Sequence, residues 1–260
     1  MKRSKKTEKK SNLRLGFYFG FLVLFIIIVS LLFKTFDLIK KSKYDGQNSF
    51  TVVVLTNNKA EILTVSPKEG TLKKLEIENA AGTKKLREIG IPYEGIVTAP
   101  SGESPDIKSY FRKILFDSNF KERNLTIIDL LKLSWFASSV PTDKIKEVSI
   151  KNDGSDLTHD FADWFADPEI LKENINIQIT NSTEVSGLGN KLAKPVVGIG
   201  GNVVLVNTSQ DLSEKSIIYY KDESYTLRKI SKLLGIPVEK KEMNTISDIV
   251  IIIGKDKEEY

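Results

Sequence analysis

Residues Leu15 to Phe33 form the longest uninterrupted apolar run of the chain, nineteen residues without a charge. As a helix rising about 1.5 Å per residue, the run reaches roughly 28 Å, close to the hydrocarbon thickness of a bilayer. It predicts a transmembrane helix over 15–33. A cleavable signal would have an apolar core of only about 7–15 residues ending at small residues. Here the run is longer and continues into Phe33-Lys34-Thr35-Phe36-Asp37, so it reads as a retained anchor.

Beyond the anchor the pattern becomes that of a mixed α/β body. Residues 34–49 start as a short helical extension and end in the polar stretch Tyr44 to Ser49, which reads as a spacer. Phe50–Leu55, Glu61–Val65 and Leu72–Ile77 are β-branched runs, with hairpin-type punctuation at Asn57-Asn58 and Pro67 to Gly70. Lys84–Ile89 suggests a short helix, Tyr93–Thr98 a strand, and Lys144–Ile150 a closing strand. Between the last two, Tyr110, Phe111, Ile114 and Leu115 give one helical stripe. Ile127, Leu130, Leu131, Leu133 and Phe136 give a second, behind Asn124 or Thr126 as caps.

From Asn174 onward the alternation is cleaner. Ile175 to Thr180 alternates as a half-buried strand should, and runs into a helix bearing Val185, Leu188 and Leu192. Ser and Thr of the 181–186 stretch are candidate caps, and Pro195 is expected to end the helix. Val203–Val206 and Ile217–Tyr220 are further strands. Tyr225, Leu227, Ile230, Leu233 and Leu234 mark a helix stopped by Gly235-Ile236-Pro237, and Ser247 to Gly254 is a buried closing strand. The segment reads βαββαβ, and the expected class is α/β (α+β): a transmembrane helix, a mixed middle domain over 50–168 and a small C-terminal domain over 169–260.

Charge orients this arrangement. Residues 1–43 hold eleven Lys/Arg and two acids, so the +5 of the whole chain leaves residues 44–260 at about −4. Seven of those cations precede the run, against Glu8 alone, which predicts a cytoplasmic tail over 1–14 and an extracytoplasmic body. A nucleic-acid partner is not expected, because the cations gather beside lipid headgroups instead of on the body. The absence of cysteine removes disulfides, thiol nucleophiles and thiolate metal sites.

Candidate chemistry is sparse. Asp156, His159, Asp160, Asp163 and Asp167 could hold a divalent cation, but their spacing is also that of a solvated acidic helix face, with Leu157, Phe161, Trp164 and Phe165 opposite. With one histidine in the chain and acids spread over three turns, the acidic-face reading is preferred, and no metal or cofactor is expected. Gly187-x-Gly189 and Gly198-x-Gly200-Gly201 lack the Lys-Ser/Thr or the later acid of a nucleotide loop. No serine stands in a Gly-x-Ser-x-Gly elbow, so no catalytic residue is assigned. The remaining contact candidates are Asn181, Ser182, Thr183, Ser186 and Gly187, at a helix start that could hold an anion.

Ile177 to Thr183, Val185 to Leu188, Ile217 to Tyr220 and Ser247 to Asp256 together resemble the C-terminal domain of LytR-related envelope proteins. The family pattern has a strand ending in an Asn turn, a helix opening with Gly, and a final Ala/Ser-Asp strand ending in Gly-x-Asp. Pro195 departs from it. Pieces of 50–96 resemble the LytR–CpsA–Psr domain, whose members transfer wall polymers from a polyprenyl pyrophosphate with arginines and Mg²⁺. This chain shows Ile77-Glu78-Asn79-Ala80 where that family places Arg-Asp, and none of Arg87, Arg112, Arg123 and Arg228 stands in a matching motif. The resemblance implies a membrane-anchored, non-catalytic module with the bilayer as partner through 15–33, and with a wall polymer or envelope protein as ligand. Its alternative is a Mg²⁺-dependent polymer transferase with a divergent site. A third reading is a membrane-tethered regulator acting through its basic tail.

Overall fold

The computed structural model describes residues 5–80, 82–100, 105–122, 124–151 and 162–259. They form two compact units, 1–42 and 43–260. The first is the helix α1 (Lys5–Lys41), of which Gly16–Lys41 is long and apolar enough to cross a membrane. Its described side chains from Gly16 to Phe33 are almost all exposed.

The second unit holds two sheets. In the first, β1 (Phe50–Leu55), β2 (Lys59–Ser66) and β3 (Thr71–Glu78) form an antiparallel meander. β4 (Gly95–Thr98) and β6 (Ile145–Lys151) add in parallel at β1 and β3, and β5 (Lys121–Glu122) closes the edge, giving the order β5-β4-β1-β2-β3-β6. Every residue of β1 is buried, because both faces of this sheet are covered. Val52 and Val54 enter a core with α3 (Tyr110–Phe116) and α4 (Ile127–Ser139). Val53 and Leu55 enter the opposite core, with Leu86 of α2 (Thr83–Glu88) and Phe165 of α5 (Ala162–Phe165). The period of two thus splits one apolar run between two cores. Tyr44, read above as spacer, is buried against Phe50, their ring centroids 5.2 Å apart.

The second sheet has the order β10-β9-β11-β7-β8. Its strands are β7 (Asn176–Asn181), β8 (Asn202–Thr208), β9 (Ile217–Tyr220), β10 (Val238–Lys240) and β11 (Ile249–Ile253). Three helices pack on it: α6 (Pro168–Glu173), α7 (Leu188–Gly198) and α8 (Tyr225–Leu234). The expected βαββαβ order is present with one strand more, β10, parallel to β9. All three residues of β10 are exposed, so no hydrophobic alternation announces it.

Two local expectations are corrected. Pro195 does not end α7, which continues to Gly198 with Pro195 buried inside it. Loss of the Pro195 N–H costs one helical bond, but the ring packs in the core and the residues that follow keep theirs, down to Ile199 N–H on Pro195 O. Nor do Ser or Thr cap α7: its N-cap is Gly187, in the left-handed region at φ 77°. Most of the acidic segment, including Asp156, His159 and Asp160, lies outside the described residues. Its last member, Asp167, accepts from Glu169 N–H and caps α6, with Pro168 at the first helical position.

Candidate functional site

The sequence-selected loop after β7 is built from its own hydrogen bonds. Asn181 Oδ1 accepts from the N–H and the hydroxyl of Thr183, and Asn181 Nδ2 donates to Val185 O at 2.8 Å. Thr183 Oγ1 in turn accepts from Val185 N–H. The main chain of Ser182 joins the same framework, its N–H donating to Ile253 O and its carbonyl accepting from Ser213 N–H. Asn181, Ser182 and Thr183 are buried, whereas Ser186 and Gly187 are exposed. The structure therefore brings the first three together as a turn-forming group and leaves the other two at the surface.

The end of the last strand is tied down similarly. Asp256 Oδ1 accepts from the N–H and the hydroxyl of Ser216, both at 2.7 Å, and Gly254 N–H donates back to Ser216 Oγ at 2.9 Å. A Cβ on Gly254 would lie 2.5 Å from Lys215 C, so the close approach of two backbones requires glycine there. At the other end of β11, Asp248 Oδ2 accepts from Asn176 N–H, and Asp248 N–H donates to Asn176 O. The Ser-Asp and Gly-x-Asp elements thus fix the register of β11.

A second constellation, not singled out in the sequence, lies where α8 meets the first sheet. Lys229 of α8 is buried and pairs with Glu94 just before β4, and also donates to Ser49 O. Glu94 Oε2 accepts from Thr51 N–H at 2.8 Å. Tyr225 donates to Asp167 Oδ2 at 2.6 Å, and burial followed by this bond raises the Tyr225 phenol well above its ordinary pKa. Below it, Glu173 accepts from Tyr225 N–H, Thr226 N–H and the Thr226 hydroxyl. Ser224 Oγ accepts from Leu227 N–H, so side chains satisfy the first three N–H groups of α8. Burial opposes ionisation of Glu173, but the bonds from Thr226 and Tyr225 prevail and hold its carboxyl below the usual range.

Asp129, fully buried near the start of α4, is the counterpart in the first sheet. One oxygen accepts from Lys43 and Tyr44 N–H at 2.9 and 2.8 Å, while the other closes a capping box with Thr126. Lys43 then extends along the junction to Glu94 O at 3.3 Å. Burial lowers the Lys43 pKa, against the opposing pull of Glu94 and Asp129.

Two adjoining clefts open at this junction, of about 140 and 200 Å³. Lys43, Glu94 and Lys232 line both. Neither contains the 181–187 loop. Among the described residues no group of three His, Asp or Glu could hold a metal ion. The signal that could have exposed this site is a set of charged residues inside otherwise core-like stretches, Glu94 in Pro92 to Val97 and Lys229 between Leu227 and Ile230.

None of the curated proteins matches the chain. Among solved structures, a Listeria monocytogenes protein, Lmo1026, described as a candidate transcriptional factor, is 12% identical over 44% of this chain and 82% of its own, with a TM-score of 0.28. The Lin1025 protein of Listeria innocua is 9% identical over 72% of this chain and 99% of its own, with a TM-score of 0.18. Likenesses this distant bear no argument about fold or activity. Residues 174–256, the second sheet with its crossover helices, match the LytR C-terminal family model, described as the LytR cell envelope-related transcriptional attenuator.

Proposed function

We propose that this chain is a single-pass envelope protein with its N-terminal tail in the cytoplasm and residues 43–260 outside. The body acts as a non-catalytic module that binds a wall polymer or an envelope protein. The observation that carries the reading is the match of residues 174–256 to an envelope-related domain, downstream of an apolar helix of membrane-spanning length. Their excess of cations on the N-terminal side of the apolar run supports the orientation.

A binding role fits the use of the signature residues. Asn181, Thr183, Asp248, Gly254 and Asp256 are spent on turns and strand register, and a domain whose distinctive residues build a frame needs no reacting group among them. The resemblance of pieces of 50–96 to the LytR–CpsA–Psr domain then concerns ancestry of the first sheet. Detergent-solubilised full-length protein should co-sediment with isolated cell wall and leave a polyprenyl-pyrophosphate-linked polymer untransferred in Mg²⁺. Polymer transfer, or failure to co-sediment with wall material or envelope protein, contradicts the reading.

A further inference from the structure

The outward row of α4 is apolar where a helix facing water would be polar. Ile127, Leu131 and Trp135, spaced at i, i+4 and i+8, are 59%, 52% and 79% exposed. Only two charged residues occur in the helix, and both are engaged within the body. Asp129 holds Thr126 and the N–H groups of Lys43 and Tyr44, while Lys132 donates to Tyr44 O. Ser138 and Ser139 turn their hydroxyls back onto the carbonyls of Ser134 and Phe136. By contrast, α8 exposes Arg228 and Lys232 at the same spacing. A helix apolar on every side is ordinarily covered on every side, whereas α4 is covered only where Leu130, Leu133 and Ala137 enter the core.

The connection of the chain indicates what covers this row. Lys43 and Tyr44, the first residues of the body, are bonded to the first turn of α4, and α1 ends at Lys41. Two residues span at most about 7 Å, and because the link is covalent it holds at whatever angle α1 stands to the body. Past the apolar run, α1 continues only from Phe33 to Lys41, about 12 Å of helix against a headgroup layer of about 5–8 Å per leaflet. A bilayer crossed by α1 therefore lies close to the N-terminal end of the row. Trp135 stands about 12 Å further along the axis and carries the amphipathic ring that favours the headgroup level, while Leu131 and Ile127 suit the acyl boundary. A second copy of the chain is a weaker match, since a row one side chain wide falls short of the roughly 800 Å² that each partner of a stable dimer buries.

We infer that α4 docks on the bilayer surface through Ile127, Leu131 and Trp135, giving the body a second membrane contact besides its anchor. The inference rests on the reading of α1 as a membrane-spanning helix. Trp135 and Trp164 are the two tryptophans of the chain, so full-length protein carrying Trp164→Phe reports on Trp135 alone. The test places one such chain in each phosphatidylcholine nanodisc, with plain or with brominated acyl chains. Bromine on shallow acyl carbons should lower the Trp135 emission about twofold or more, with the emission maximum shifted to the blue. Leu131→Glu, at an exposed position, should abolish that quenching while leaving Tm unchanged. A companion chain with Trp135→Phe, Trp164→Phe and Phe25→Trp reports on α1 alone. Quenching of the companion without quenching of Trp135 overturns the docking and leaves the anchor standing; quenching of neither overturns both. Quenching of Trp135 that survives Leu131→Glu contradicts the assigned row. Trp135 shielded from aqueous acrylamide yet untouched by bromine would mean that protein, not lipid, covers α4, and would equally overturn the inference.

Discussion

Single residues in this fold hold backbones in place more than they face a ligand. Gly254 is the sharpest case, since any Cβ there would strike the Lys215 backbone. Gly254→Ala should cost on the order of 2–3 kcal/mol through overpacking and lower Tm by about 5–10 °C, measured by calorimetry. Lys229 and Glu94 pose a different problem: both are buried, so removing one strands the other's charge. Lys229→Met should destabilise by about 3–5 kcal/mol in a denaturant titration, and Glu94→Gln with Lys229→Met should recover most of the loss. A double variant no more stable than the single one would show that the charge pair is not the source. These roles were poorly legible in the sequence, because a Glu or Lys between apolar residues reads equally well as the exposed side of a strand or helix. The Asn181 and Gly-x-Asp elements were legible as a pattern, and the structure supplies the reason for it in hydrogen bonds and a backbone contact.

At the level of elements, α8 depends on an acid from elsewhere. Glu173, the last residue of α6, caps the first two N–H groups of α8. Its carboxyl is held below the ordinary range in the folded protein, so its contribution to stability is present above the unfolded carboxylate pKa and fades as pH falls through the folded value. Glu173→Gln should therefore be less stable than the parent near neutrality, with the gap closing as the medium is acidified below about pH 4. Thermal melts across pH check this, and a gap that widens on acidification would refute it. Strands and helices with a clear period were readable: β1 to β3, α4, β7, β9 and α8 lie within a few residues of expectation. β10 was not, since an exposed edge strand carries no burial signal. The extent of α7 was missed because the breaking rule for proline ignores how well a buried ring can pack in a helix.

For the molecule as a whole, the body from Lys43 to Tyr260 joins two sheets whose junction is polar, and α1 is a separate unit. The class of fold followed from strand and helix periods; the junction did not, because it depends on which charged residues the two sheets bring together. The central claim is that this body stands outside a membrane crossed by α1. The chain has no cysteine, so a single Ser186→Cys at the exposed start of α7 provides a unique label site. A membrane-impermeant maleimide applied to intact cells should modify that thiol as fully as it does after lysis. Modification only after lysis would place the body in the cytoplasm and contradict the account.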